Sequence, residues 1–218
     1  MSLIRPSPPD DKARQRRCCP GRPARGPGDR LGGVLAETKG APVGRVAGEP
    51  PGSDATGPER LLRRLGELGI AAPTVPYPAH RTVEQGRQRR GALAGAFTKN
   101  LLLQDKKGRL FLFTVAEDRV LDLRTAHTRV GASGRLGLAS ADRMREVLGV
   151  EPGALTPLAL INDQEGLVTA VVDAALLTAG QVNVHPLVNT QSTGLRPADL
   201  LAFVHSCGRE ALIVEFGP

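Results

Sequence analysis

An α+β domain, with a mixed and mostly antiparallel sheet flanked by helices, is the architecture this sequence predicts. Three observations carry that expectation. Short apolar runs bounded by polar residues recur from Leu101 to the C-terminus, as half-buried strands do. Segments with apolar residues at helical spacing interrupt them. The two kinds of segment do not alternate regularly, as a doubly wound parallel sheet would require.

PERLLRRLGEL places Leu61, Leu62, Leu65 and Leu68 on one helical face, and Gly69 follows as a stop. TVPYPAH is extended because its prolines disfavour the helical conformation in the residues before them, and Thr82 opens a short helix with Glu84 and Gln85 in its first turn. Leu101–Leu103 and Leu110–Phe113 form a hairpin around DKKG, whose glycine suits a tight reversal. LDLRTAHTRVG reads as a strand end passing into a short helix. SADRMREVLG has a Ser140 cap, Asp142 in its first turn and Gly149 as terminator. VEPGALTP is a loop. LALIND and LVTAVVDAAL are two strand candidates joined at DQEG, and QVNVHPLV is a third, broken by Pro186. PADLLAFVHSCG is a helix between Pro197 and Gly208, and ALIVEF closes the chain as a strand.

Composition divides the chain. Residues 1–56 hold nine of the 18 prolines and no aromatic residue. Such a segment lacks the apolar surface that offsets chain entropy and is expected to be disordered; residues 57–218 form the domain. The net charge of +7 favours an anionic partner such as RNA. Ten Lys and Arg against six Asp and Glu put +4 on residues 1–56, which leaves +3 on the domain. Three cysteines, at 18, 19 and 207, have neither disulfide-framework nor zinc spacing, and fit a reducing compartment. No stretch approaches the ~20 apolar residues of a membrane span. The N-terminus has no signal-peptide core, and Asp10, Asp11 and Asp29 argue against a transit peptide, so a cytoplasmic location is expected.

The usual hydrolase signatures GxSxG, HExxH and GxxxxGK[ST] are absent. Three polar clusters remain at the ends of apolar runs: TKN at 98–100, PGALTP at 152–157 and HPLVNTQSTGL at 185–195. Such clusters are where a rigid scaffold builds a pocket. Lys99 stands at the start of the hairpin's first run and has two readings. Either its ammonium snorkels from a strand end to water, or it meets an anion that offsets its lost hydration.

FTKNLLL at 97–103, GALTP at 153–157 and HPLVNTQST at 185–193, in this order, resemble the YbaK/prolyl-tRNA synthetase-associated editing-domain superfamily, nearest its freestanding deacylases that remove alanine from proline tRNA. The resemblance spans residues 61–216 and includes PADLLAF and ALIVEF. It implies an α+β editing fold without metal or nucleotide cofactor, and hydrolysis of the ester between an amino acid and the terminal ribose of tRNA. Water would be positioned with help from the substrate's own hydroxyl rather than by a protein nucleophile. The partner implied is mischarged tRNA, by its acceptor end, with prolyl-tRNA synthetase as a second partner.

Carried onto this chain, the resemblance gives Lys99 a contact to the terminal adenosine or its phosphate and makes Asn100 and His185 the groups that orient the ester. Gly153 lets a loop approach the substrate and Pro157 stiffens that loop. Asn189, Thr190 and Thr193 line the pocket, although turn chemistry accounts for these three nearly as well. Related deacylases that prefer Cys- or Ser-charged tRNA, and a tRNA-binding module without turnover, are the competing readings. Where many relatives carry histidine before TKN, this chain has Phe97. Lys106 and Lys107, with Arg87, Arg89 and Arg90, are either solvated charges or a track for the acceptor stem. His80, His127 and His205 are expected at structural or surface positions, and Cys207 in packing.

Overall fold

The computed structural model describes residues 57–78 and 93–217. The expectations for residues 1–56, for His80 and for the helix opening at Thr82 lie outside these residues, as do Arg87, Arg89 and Arg90.

The first helix, α1 (Pro58–Glu67), starts on a proline whose missing N–H costs nothing at that position and buries Leu61 and Leu65. Full burial of two such side chains contributes roughly 1.5–3 kcal/mol each. Eight strands follow within one sheet: β1 (Thr74–Pro76), β2 (Ala96–Gln104), β3 (Leu110–Ala116), β4 (Gly137–Leu138), β5 (Val168–Asp173), β6 (Val182–Val184), β7 (Gln191–Leu195) and β8 (Leu212–Val214). Their order is β1-β7-β6-β2-β3-β5-β8, with β4 added to β2. The β2·β3 hairpin is antiparallel, whereas β6 on β2, β5 on β3 and β8 on β5 are parallel, so the sheet is mixed.

Alternation along the strands makes two cores. Leu102, Leu112, Ala170, Val172, Val182 and Leu195 face the larger one, closed by α1, α3 (Ala141–Leu148) and α4 (Pro197–Ser206). Leu103, Phe111, Phe113, Val115 and Val171 face the smaller one, closed by α2 (Leu123–Arg129) and Phe216. Helix α3 is capped as its sequence demands: Ser140 Oγ accepts from Arg143 N, and Gly149 ends it at φ 62°. No helix among the described residues is long and apolar enough to cross a membrane.

Four local expectations change. LALIND is not a strand. Pro157 has no N–H to donate to a ladder, and Thr156 Oγ1 accepts from Leu158 N, which starts a 3-10 turn at Pro157–Ile161 instead. In LVTAVVDAAL the strand stops at Asp173, whose carboxylate caps a second 3-10 turn, Ala174–Thr178. QSTGL, inside a segment read as turn chemistry, is strand β7. Finally, β2 begins at Ala96, so Lys99 and Asn100 lie well inside a nine-residue strand rather than at its mouth.

Candidate functional site

Strand β2 is shared by the two halves of the sheet, and the TKN tripeptide lies where they part. On one edge β2 pairs with β3 along residues 98–104. On the other it pairs with β6 only at Ala96 and Phe97, and with β4 only at Leu103 and Gln104. Between these contacts no strand among the described residues covers that edge. Side chains bridge the gap: Thr98 Oγ1 donates to the Asn183 carbonyl of β6 (3.1 Å), and Asn100 Nδ2 donates to the Leu155 carbonyl (2.9 Å).

These bonds draw the three polar clusters together. Asn100 fastens β2 to the GALTP loop. That loop in turn abuts the HPLVNTQST segment, since a Cβ on Gly153 would lie 3.5 Å from Asn189 Nδ2. Gly153 is exposed and has φ +93°, a conformation that side chains disfavour, so its glycine supplies both the turn and the close approach. Pro157 is buried at the head of the 3-10 turn. Asn100 Oδ1 is buried and finds no donor among the described residues. An unsatisfied buried acceptor costs about 1–3 kcal/mol, and such groups call for a functional account.

His185 follows β6 and is fixed by its neighbours. Its Nδ1 lies 3.0 Å from the Gln191 carbonyl and 3.2 Å from the Tyr77 hydroxyl, which itself donates to Gln191 O at 2.9 Å. A carbonyl only accepts, so Nδ1 carries a proton. Leu187, two residues on, has φ +68°. A leucine held in the left-handed region is strained by about 1–3 kcal/mol, and such strain clusters at binding loops.

The remaining expected residues differ in placement. Asn189 is half-buried beside Gly153. Thr190 is exposed, and its carbonyl accepts from Tyr77 N at 2.8 Å. Thr193 is fully buried in β7, its hydroxyl 2.8 Å from Thr74 Oγ1. Thr74 Oγ1 also donates to Ala72 O, so Thr193 is the donor of the pair and its hydroxyl serves the β1·β7 seam.

Lys99 points the other way from Asn100, because adjacent strand residues face opposite sides. It stands opposite Val115, on the smaller-core face, and its ammonium donates to the Arg119 carbonyl. Arg119 is itself held, with Nε 3.1 Å from Asp173 Oδ2 and a further bond to Gly217 O. Beside it a shallow cleft of about 270 Å³ is lined by Ala96, Phe97, Ala116, Glu117 and Asp118. Neither reading of the sequence anticipated this backbone partner.

Sequence reasoning also missed Tyr77 and Thr98. Tyr77 is the chain's one tyrosine, set between two prolines, and that isolation was the available signal. Cys207 sits at the end of α4, where burial pushes its thiol up, away from thiolate chemistry. His205 is exposed and pairs with Glu210 at 2.8 Å.

With this geometry in view, the chain matches the family model for the aminoacyl-tRNA editing domain over residues 77–203. It belongs to that family. It is 39% identical over 171 residues to prolyl-tRNA synthetase associated domain-containing protein 1 of Danio rerio, covering 76% of this chain and 92% of that protein. To the prolyl-tRNA editing protein ProX of Acetoanaerobium sticklandii it is 29% identical over 163 residues, covering 74% and 99%. Among solved structures it resembles a candidate trans-editing enzyme for prolyl-tRNA synthetase, with a TM-score of 0.57 and 26% identity over 73% of this chain and 98% of that one.

Proposed function

We propose that this protein is a trans-editing hydrolase that deacylates mischarged tRNA, with Ala-tRNA(Pro) as its substrate. The observation that carries the reading is the meeting of three polar segments at the uncovered edge of β2: Asn100 bonded to Leu155 O, and Gly153 against Asn189. Membership of the editing family and similarity to a prolyl-tRNA editing protein support it.

In the reaction, a water oxygen adds to the ester carbonyl, the bond from that carbon to the ribose oxygen breaks, and the water's proton ends on the ribose. Among the described residues the site offers groups for orientation. Asn100 Oδ1 accepts a hydrogen bond from the substrate, either from its ammonium or from a ribose hydroxyl. His185, with its ring fixed by the Nδ1 bond to Gln191 O, is the second group that orients the ester or its vicinal hydroxyl. Gly153 leaves room for a small side chain, and a larger amino acid would meet Asn189.

Lys99 joins this reading across the edge of the strand. A tRNA end lying over residues 98–101 meets Asn100 on one face of β2 and Lys99 on the other, and the ammonium exchanges the Arg119 carbonyl for a phosphate oxygen. The deciding experiment is single-turnover incubation with Ala-, Pro- and Cys-tRNA(Pro). Release of alanine with retention of proline is the expected outcome; preferential release of cysteine moves the substrate, and binding without release of any amino acid overturns the enzymatic reading.

A further inference from the structure

We propose that the tip of the β2·β3 hairpin, together with the loop that follows α2, is a preformed docking platform for the phosphate backbone of a duplex RNA stem; this rests on the reading of the β2 edge as the place where the RNA's 3′ end is held. The organiser is Asp105, whose side chain is solvent-excluded. Its carboxylate accepts from four N–H groups: Lys107 N (2.9 Å), Arg109 N (3.0 Å), Arg109 Nε (2.8 Å) and Ser133 N (2.9 Å). Two further bonds join the same pieces, Lys106 N to Ser133 O and Arg109 to the Gly131 carbonyl at 2.9 Å. One buried carboxylate thus locks the hairpin tip and the 131–135 loop into a single surface.

That surface is strongly cationic. Segments 105–109 and 129–135 carry five Lys and Arg against one Asp, a net +4, whereas residues 57–218 as a whole carry +3. Arg109 is neutralised by Asp105. Lys106, Lys107 and Arg135 are exposed and form no ion pair with any described residue. Surface charges elsewhere on the described residues are commonly paired, as in Arg64–Glu67, Arg143–Glu146 and Arg145–Glu151. The stem of Lys106 lies across Gly134, whose absent Cβ would approach its Cδ to 3.0 Å, so the aliphatic part of this side chain rests on the loop.

Unpaired cations on a fixed backbone, without an apolar wedge, are what phosphate-backbone binding uses. Among the described residues the exposed large apolar ones are Val75, Val120, Leu138, Leu167, Leu212 and Ile213, none of them within these two segments, which argues against membrane insertion. The platform is also at a suitable distance. From Asn100 to the end of β2 at Gln104 the strand advances four residues, about 13 Å at the rise of a β-strand, with Lys106 in the turn just beyond, a span that a few unstacked nucleotides of a 3′ overhang can bridge before the duplex begins.

The test compares the full chain with Lys106→Ser/Lys107→Ser/Arg135→Ser, all exposed positions, with a melting curve to confirm folding. Binding of end-labelled, uncharged tRNA(Pro) is titrated against salt. Each phosphate contact adds roughly an eightfold gain in affinity at 0.1 M salt relative to 1 M, from a slope near 0.9 per contact. Allowing for incomplete engagement, the variant should bind at least about tenfold more weakly at low salt, and its log–log salt slope should fall by roughly two to three. Lys106→Arg/Lys107→Arg should retain wild-type binding, and hydrolysis of a short alanylated 3′-end oligonucleotide should be unchanged in the serine variant. Unaltered affinity and slope overturn the platform even if deacylation is confirmed, and so does equal competition by polyglutamate, which would mark a general polyanion surface. If the wild type hydrolyses no aminoacyl ester yet the serine variant loses RNA binding, the enzymatic reading fails and the platform stands.

Discussion

Replacing Asn100 with alanine separates two roles that the side chain combines. It removes the 2.9 Å bond to Leu155 O, a net loss of about 0.5–1.5 kcal/mol, and leaves that carbonyl of a buried residue without its donor, a further ~1–3 kcal/mol. It also removes Oδ1, a buried acceptor with no donor among the described residues, whose burial is unfavourable by a similar ~1–3 kcal/mol. The two desolvation effects nearly offset each other, so the expected destabilisation is only about 0–1.5 kcal/mol, and Tm should fall by less than roughly 6 °C for a domain of this size. Catalysis should respond far more. If Oδ1 receives a charged or strongly polarised donor of the substrate, losing a contact of ~1.5–3 kcal/mol slows the single-turnover step roughly ten- to a hundredfold. Asn100→Asp is the companion: it keeps an acceptor but sets a carboxylate against Leu155 O, and should melt lower than the alanine variant. An Asn100→Ala protein that melts several degrees lower and turns over at the wild-type rate would refute the reasoning, leaving Asn100 as a strap between β2 and the GALTP loop.

Three further outcomes are expected. Lys99→Ala should slow Ala-tRNA(Pro) hydrolysis about tenfold or more while Tm changes little, because the ammonium's one described contact is a turn carbonyl; a wild-type rate would return Lys99 to the structure of the 117–120 turn. Gly153→Val forces a β-branched side chain into φ +93° beside Asn189, so Tm should fall by several degrees from ~1–3 kcal/mol of strain, and alanine release should decline more than tRNA affinity; equal losses in rate and affinity would contradict a pocket role. Burial alone would raise the Asp105 carboxyl, but its N–H bonds from Ser133, Arg109 and Lys107 hold it at about 2, below its ordinary 3.8. A depressed carboxyl stabilises the fold above its unfolded value and loses that contribution as pH falls toward 2, so a plot of Tm against pH should be flatter between about 4 and 2 in Asp105→Asn than in the wild type.

The parts of the fold that were legible in the sequence are those governed by local chemistry. Pro58, Ser140, Gly149 and Pro197 mark helix ends because caps and missing donors act within one turn of chain. The hairpin around DKKG was legible for the same reason. LALIND failed because an apolar run buried on all sides has no period to read, and Pro157 with Thr156 decided its form locally. QSTGL failed in the opposite sense: its Ser, Thr and Gly carry turn signals, yet all but Gln191 are buried between β1 and β6, and pairing across the sheet overrides composition.

The candidate site shows the same division, most plainly at Lys99 and Asn100. The sequence presents them as one polar pair, and their shared motif suggests one pocket. In an extended strand, however, neighbours point to opposite faces, and whether that separates them depends on what covers the edge between. Had β6 or β4 continued along β2, a ligand could have touched only one of the two. Because the ladder to β6 ends at Phe97 and that to β4 begins at Leu103, the edge at residues 98–101 is left to side-chain bonds from Thr98 and Asn100, and the proposal that one ligand reaches both residues depends on that gap. The length of two neighbouring strands, a non-local property that no window of sequence around TKN contains, therefore sets whether that edge is covered.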